Sequence, residues 1–221
     1  MGNLDALVTA PICKKSWQLA GIDYSGHTTL LQKMTESKIV SMVFLTKKLK
    51  VILVTIHIPL NQVSQSLTKK RIEEKIKHAH EVLLKLGIKN PKITVAGLNP
   101  HASEESLFGN EEAKIIQPAI ESMVKEGIAV SGPYPPDIIF RQALSGKADI
   151  VVALYHDQGL IPLKLIGFDQ AVNMTWGLPF IRTSPDHGTA FDIAYKNQAD
   201  EKSMQNAIQL AVQMSKKSND S

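Results

Sequence analysis

Residues 148–159 read ADIVVALYHDQG. The run from Ile150 to Leu154 is apolar at every position. This is the pattern of a strand covered on both faces, as in a parallel or mixed sheet flanked by helices. A histidine and an aspartate follow at once. In open α/β sheets ligands bind beyond the carboxyl ends of the strands, so His156 and Asp157 stand where such a fold puts its chemistry. The stretch therefore points to an α/β protein whose polar residues of interest lie at strand ends.

Outward from this strand the chain alternates. LDALVT (4–9), IVSMVFLT (39–46), LKVILVTI (49–56), KITVAG (92–97), GIAV (127–130) and QAVNMT (170–175) read as strands. The closeness of the second and third predicts an antiparallel pair. The clearest helix covers 68–86. Ile72, Ile76, Ala79, Leu83 and Leu86 form one apolar stripe, Thr68 is placed to cap it, and Gly87 ends it. Further helices are predicted over CKKSWQLAG (13–21), 28–35, 111–125, IIFRQALSG (138–146), GLIPLKLIG (159–167) and EKSMQNAIQLAVQMSKK (201–217). SGPYPPD (131–137) reads as a turn and RTSPDHGTAFD (182–192) as a loop feeding a short helix. Strands separated by helices give an α/β class with a mixed sheet.

Composition narrows the function classes. The 221 residues contain no apolar run near the roughly 18 needed for a membrane span, and one cysteine, Cys13, leaves no disulfide framework. The start MGNLDALVTAP lacks the basic and apolar regions of a secretory signal, and Ala6 breaks the myristoylation pattern. A cytoplasmic protein is the expectation. The formal charge of +4 is spread over scattered lysines without interleaved aromatics, which disfavours nucleic acid and fits attraction of an anionic small molecule.

Of seven histidines, His78 and His80 flank the stripe of the 68–86 helix and read as surface residues. The other five, His27, His57, His101, His156 and His187, all lie where an element ends or a loop turns. Three imidazoles hold a divalent ion and leave positions open for a substrate oxygen. Spacing alone does not say which three, since no HExxH-type motif is present. Lys164 and Arg182 are candidates to hold a phosphate, and Asn173 is a further polar residue at the same edge. Asp137, after two prolines, reads either as a helix cap or as a proton relay or ligand.

Taken together, ALVTAP (6–11), GHT (26–28), TIHIPL (55–60), GLNPHA (97–102), YHDQGLIPLK (155–164) and VNMTWGLPFIRTSPDHGTAFDIA (172–194) resemble the 4-hydroxythreonine-4-phosphate dehydrogenases of vitamin B6 synthesis. The resemblance runs over nearly the whole chain. It implies an isocitrate/isopropylmalate dehydrogenase-like α/β/α architecture with a mixed sheet and two lobes, and a homodimer that completes each site. It implies metal-dependent, NAD- or NADP-linked oxidation and decarboxylation of 4-phosphooxy-L-threonine to 3-amino-2-oxopropyl phosphate. The family's metal ligands, for one divalent ion such as Zn, Mg or Co, fall on His27, His57 and His156, one of them supplied by the partner subunit. Its substrate contacts fall on Lys164, Asn173 and Arg182. The cofactor contacts fall on His187, Gly188, Thr189, Ala190 and Asp192, and the catalytic roles on Asp137 and Lys164.

The resemblance also has departures. Family members carry further residues ahead of DALVTAP that build much of the first lobe, so the first lobe is expected to be incomplete. A main lobe over about 10–175 would carry the metal and dimerisation side, with 1–9 and 176–221 as the remnant of the cofactor-side lobe. The apolar face of the last helix (Ile208, Leu210, Val212) is then expected to be partly uncovered, and turnover by this chain alone to be impaired. The usual glycine-rich loop reads ASEESLFG (102–109), and the usual GKG reads YKN (195–197), which predicts strain at Tyr195 if it takes a glycine's conformation. The alternatives are a metal- and phospho-ligand-binding remnant without turnover, a subunit of a split enzyme with a separately encoded N-terminal lobe, or a dehydrogenase for a threonate- or erythronate-type 4-phosphate.

Overall fold

The computed structural model describes residues 4–167 and 170–216. It divides into two compact units, one of residues 43–167 and one formed by 1–42 with 168–221.

In the 43–167 unit the strands are β2 (Ser41–Leu45, which begins just before the boundary), β3 (Lys50–Leu53), β4 (Ile93–Ala96), β5 (Val130–Tyr134) and β6 (Ile150–Ala153). They lie in the order β2-β3-β6-β4-β5, with β2–β3 antiparallel as predicted and the other pairs parallel. The apolar runs that announced β3 and β6 do form the buried centre. Val51, Ile52, Ile150, Val151, Val152 and Ala153 have no exposed surface. The helices are α3 (Val63–Ser66), α4 (Lys69–Lys85), α5 (Gln117–Lys125), α6 (Pro136–Leu144) and α7 (His156–Gly167), and a π-helical turn over Glu112–Ile116 leads into α5.

α4 follows its sequence closely. The Arg71 amide donates to Thr68 Oγ1, satisfying one of the first turn's free N–H groups. Ile72, Ile76, Ala79 and Leu83 are fully buried, and Gly87 at φ +89° closes the end with its N–H on the Leu84 carbonyl. Two expectations need correction. The strand expected to stop at Val130 runs on to Tyr134, through what reads as a turn, because Gly132 passes where a Cβ would lie 2.5 Å from the Val95 carbonyl. β5 is an edge strand, so Pro133 removes no ladder bond that the sheet needs. His156 opens α7 instead of ending β6, whose last paired residue is Ala153.

The other unit contains β1 (Ala6–Val8), α1 (Lys14–Leu19), α2 (His27–Met34), β7 (Val172–Trp176), β8 (Ile181–Pro185) and α8 (Lys202–Lys216). β8 lies between β1, parallel to it, and β7, antiparallel to it. Residues 182–185, expected in a loop, are thus in a strand. Their polar side chains find partners inside the fold: Thr183 Oγ1 donates to the Ala207 carbonyl of α8 at 2.8 Å, and the Arg182 guanidinium donates to two threonines. α8 buries Ala207, Ala211 and Met214, while Ile208 and Val212 stay 47% exposed, the partly uncovered face foreseen from the sequence. Each unit therefore carries a mixed sheet against helices, the α/β class expected.

Non-glycine residues take the left-handed region at Glu36, in the turn after α2, and in two longer loops. Tyr195 (φ 62°) and Asn197 (φ 53°) take the conformation that glycine prefers, so the strain foreseen at Tyr195 is present. In the loop after β4, His101, Ala102, Ser103, Glu104, Glu105 and Ser106 all have φ between 43° and 75°.

Candidate active site

The parallel pairing of β3 with β6 brings two distant segments to one place. His57 follows β3 and His156 follows β6, and their ring centres are 5.7 Å apart at a 43° tilt. Two imidazoles sharing one tetrahedral ion, each with its nitrogen at ~2.0–2.1 Å, have ring centres about 5 Å apart. The observed pair is close to that geometry. His156 Nδ1 lies 2.6 Å from Asp157 Oδ1. A carboxylate only accepts, so the proton of that bond belongs on Nδ1, and Nε2 keeps its lone pair for a ligand. The donors therefore fit a borderline-soft divalent ion. Among the described residues no group of three or more His, Cys, Asp or Glu is gathered to hold a metal ion, so the pair is what this chain brings together.

His27, the third candidate, is in the other unit. It is the first residue of α2, half-buried, with its ring edge-on to Trp17 at 5.3 Å. Burial, and then the charge of Arg182, hold its pKa below the ordinary histidine value, which keeps the imidazole neutral. Neutral imidazole is the form that ligates a metal.

Arg182 is the most constrained charge in that unit. It is 3% exposed. Nη1 donates to Thr175 Oγ1 at 3.1 Å and Nη2 to Thr9 Oγ1 at 2.6 Å, while Nε finds no partner among the described residues. Burial pushes its pKa down to about 10, so it remains a cation at neutral pH. Thr175 Oγ1 also lies 3.3 Å from Thr28 Oγ1, which links Arg182 to the turn beside His27. Asn173 shares the face of Arg182, because Thr175 pairs with Arg182 and Asn173 with Ser184 across β7–β8. Its Oδ1 is also buried without a partner. The unmet Arg182 donor and Asn173 acceptor, on one face of β7–β8 among the described residues, are groups that a ligand or water would satisfy.

Lys164 lies half-buried in α7. Asp137 is in the first turn of α6 and exposed; Pro135 occupies the cap position, so the capping alternative does not hold. The cofactor candidates lie between β8 and α8. His187, Gly188 and Ala190, with Ile193, Ala199, Asp200 and Ser203, line a cavity of about 400 Å³. Thr189 and Asp192 belong to the same loop but not to that lining. His187 Nδ1–H donates to the Gly188 carbonyl, and Ala190 takes a left-handed conformation (φ 50°) that aims the loop.

Sequence reasoning named the histidine of the His156–Asp157 pair as a ligand but gave the aspartate no role. It passed over Thr9 and Thr175, which hold the guanidinium. The adjacency of His and Asp was a signal for the first. For the threonines no local signal exists, because their partner lies 173 and 7 residues away.

Comparison with known proteins bears on this geometry. A family model described as "Pyridoxal phosphate biosynthetic protein PdxA" matches residues 1–211. The chain is 52% identical over 213 residues to a D-threonate 4-phosphate dehydrogenase of Pectobacterium atrosepticum, covering 96% of this chain and 65% of that protein. It is 50% identical over 211 residues to a 4-hydroxythreonine-4-phosphate dehydrogenase of Desulforapulum autotrophicum, covering 95% of this chain and 62% of that one. Among solved structures, a 4-hydroxythreonine-4-phosphate dehydrogenase from Klebsiella pneumoniae superposes with a TM-score of 0.86 at 50% identity, covering 96% of this chain and 65% of that chain. The chain thus spans a little under two thirds of the length of the relatives it matches.

Proposed function

From the premise that this chain belongs to the PdxA family, we propose that it serves the divalent-metal- and NAD(P)-linked oxidation of a 4-phosphorylated hydroxy acid. The substrate proposed is 4-phosphooxy-L-threonine, converted with loss of CO2 to 3-amino-2-oxopropyl phosphate. The single observation that carries the reading is the His57–His156 pair with Asp157 behind it. A divalent ion there would polarise the substrate hydroxyl and stabilise the alkoxide that precedes hydride loss.

This chain's own residues have distinct tasks. His57 and His156 would present ring nitrogens to the ion, and Asp157 holds Nδ1 of His156. His27, held neutral in its own unit, would supply the third ligand if the family pattern holds, one of the three coming from the partner in a homodimer. Arg182 offers an unused donor to the anionic end of the substrate, Asn173 offers an unused acceptor to a substrate hydroxyl or amino group, and Lys164 adds a positive charge. Lys164 and Asp137 take the proton-transfer roles. The loop from His187 to Asp192, beside its cavity, would hold the adenine side of NAD or NADP, a cofactor that would supply the hydride acceptor.

The relatives' additional length completes the account of partners. Leu4, Ala6, Val8, Ile208, Ala211 and Val212 line a groove of about 450 Å³ between β1 and α8, beside the open edge of β1. We infer that polypeptide equivalent to the third of the relatives not spanned here, on the same or a separate chain, covers this groove and is required for full turnover.

A second reading is D-threonate 4-phosphate as substrate. It is favoured by the name of the 52%-identical relative. The two acids differ at one substituent beside the reacting carbon, an amine in one and a hydroxyl in the other. The test is NAD(P)H formation with each phosphorylated acid, metal present, by this chain alone and with the missing third of a relative supplied. Metal-dependent turnover of either acid supports the proposal. No turnover under any combination would refute it, and the faster acid decides between the readings.

A further inference from the structure

We propose that Gln158 and Thr55 are positioning residues that set the separation of the His57 and His156 imidazoles through the main chain of Leu154. The inference rests on reading that pair as a metal site.

The β3–β6 register pairs end at Leu53 opposite Ala153, and two further main-chain bonds, from Val54 N to the Ala153 carbonyl at 2.9 Å and from Thr55 N to the Leu154 carbonyl at 3.1 Å, carry the pairing to Leu154. Both histidines lie beyond the last register pair, His57 by four residues and His156 by three, on segments that leave the sheet in different ways. Side-chain bonds join the main chain in holding the residues just before them. The Leu154 carbonyl accepts from Thr55 N at 3.1 Å and from Thr55 Oγ1 at 2.7 Å. The Leu154 N–H donates to Gln158 Oε1 at 2.7 Å, and Gln158 Nε2 donates to the Gly97 carbonyl at the end of β4 at 2.8 Å. Thr55 and Leu154 each lie two residues before a histidine of the pair. The Leu154–Gln158 bond closes a loop with His156 inside it, and the Gly97 bond ties that loop to the next strand.

The residue types are demanded by this arrangement. Only a side chain with a donor and an acceptor on one rigid amide serves Leu154 N–H and Gly97 C=O together. Gln158 is 7% exposed and Thr55 4%, so water does not readily replace either bond. Behind Gln158, a Cβ on Gly159 would lie 2.7–3.1 Å from side-chain atoms of Val51, Leu53 and Ala153. α7 therefore starts directly on β3 and β6, and a shift of its first turn is passed to His156 with no slack to absorb it. The simpler explanation is that these bonds only satisfy buried polar groups. That explanation predicts a stability loss without a specific effect on the pair.

The test compares wild type with Gln158→Met, Thr55→Val and Ile76→Val, the last a core truncation in α4 that serves as a stability control. The probe is cobalt(II), its Kd read from the visible absorption of the protein, with melting temperature measured in parallel. Supporting outcomes are a Kd raised about tenfold by Gln158→Met and several-fold by Thr55→Val, the size of loss seen when groups behind metal ligands are removed, with Ile76→Val within about twofold. Unchanged affinity in both site variants, or equal weakening in the control, overturns the inference. Crystal structures of metal-free wild type and Gln158→Met read the ring separation directly. A separation kept at 5.7 Å in the variant overturns the inference whether or not cobalt binds. Absence of cobalt binding by the wild type overturns the metal reading alone.

Discussion

Replacing Tyr195 by glycine should stabilise this protein, although a large aromatic residue is removed. Tyr195 has φ 62° and a fully exposed side chain. The left-handed conformation costs a residue with a Cβ ~1–2 kcal/mol. Glycine escapes that cost but loses ~0.5–1 kcal/mol more backbone entropy on folding. With no buried contact to lose, the net gain is about 0.5–1 kcal/mol. For a chain of this size that corresponds to a rise in Tm of about 1–4 °C. Thermal and urea unfolding followed by circular dichroism would measure it. Two companions isolate the cause. Tyr195→Ala keeps a Cβ and should gain nothing. Asn197→Gly should gain little, because Asn, at φ 53° here, tolerates this region. If alanine stabilised as much as glycine, the gain would come from deleting an exposed ring, and the strain argument would be wrong.

Other predictions address charge and surface. Burial pushes the Lys75 pKa down to about 8. Between that value and the unfolded ~10.4 the unfolded chain binds more protons, so stability should rise with pH across this window. Lys75→Met should add about 1–3 kcal/mol at pH 7 and flatten that slope; an unchanged slope would show that Lys75 is solvated. Arg182→Met should weaken binding of the phosphorylated acid, measured by calorimetry, at least about 100-fold. Its melting temperature should move little, since a desolvated cation is removed along with its two hydrogen bonds; retained affinity would take Arg182 out of the ligand site. Ile208→Ser and Val212→Ser together should reduce dye binding and any self-association in sedimentation, at a stability cost of about 1–3 kcal/mol for their half-buried side chains. Unchanged association would mean that the α8 groove is not the sticky surface.

Much of the 43–167 unit was legible because its signals are local. The β3 and β6 runs, the α4 stripe and the Thr68 and Gly87 ends each lie within one element. β8 was not legible, since Arg182, Thr183 and Ser184 look like loop residues until β1, β7 and α8 supply their partners. The continuation of β5 depends on what faces Gly132 across β4, and the opening of α7 at His156 on the side chain of Gln158. The site was half legible. Five histidines could be picked out as terminal to elements, but spacing does not reveal that His57 and His156 meet across 99 residues of chain. That meeting is a product of parallel strand register, which no stretch of sequence encodes by itself.

X-ray absorption on the zinc- or cobalt-loaded protein would test the central claim most directly. Two or three imidazole nitrogens at about 2.0–2.1 Å are predicted, with one lost in His57→Ala and one in His156→Ala. A metal shell of oxygen alone, the same in wild type and both variants, would contradict it.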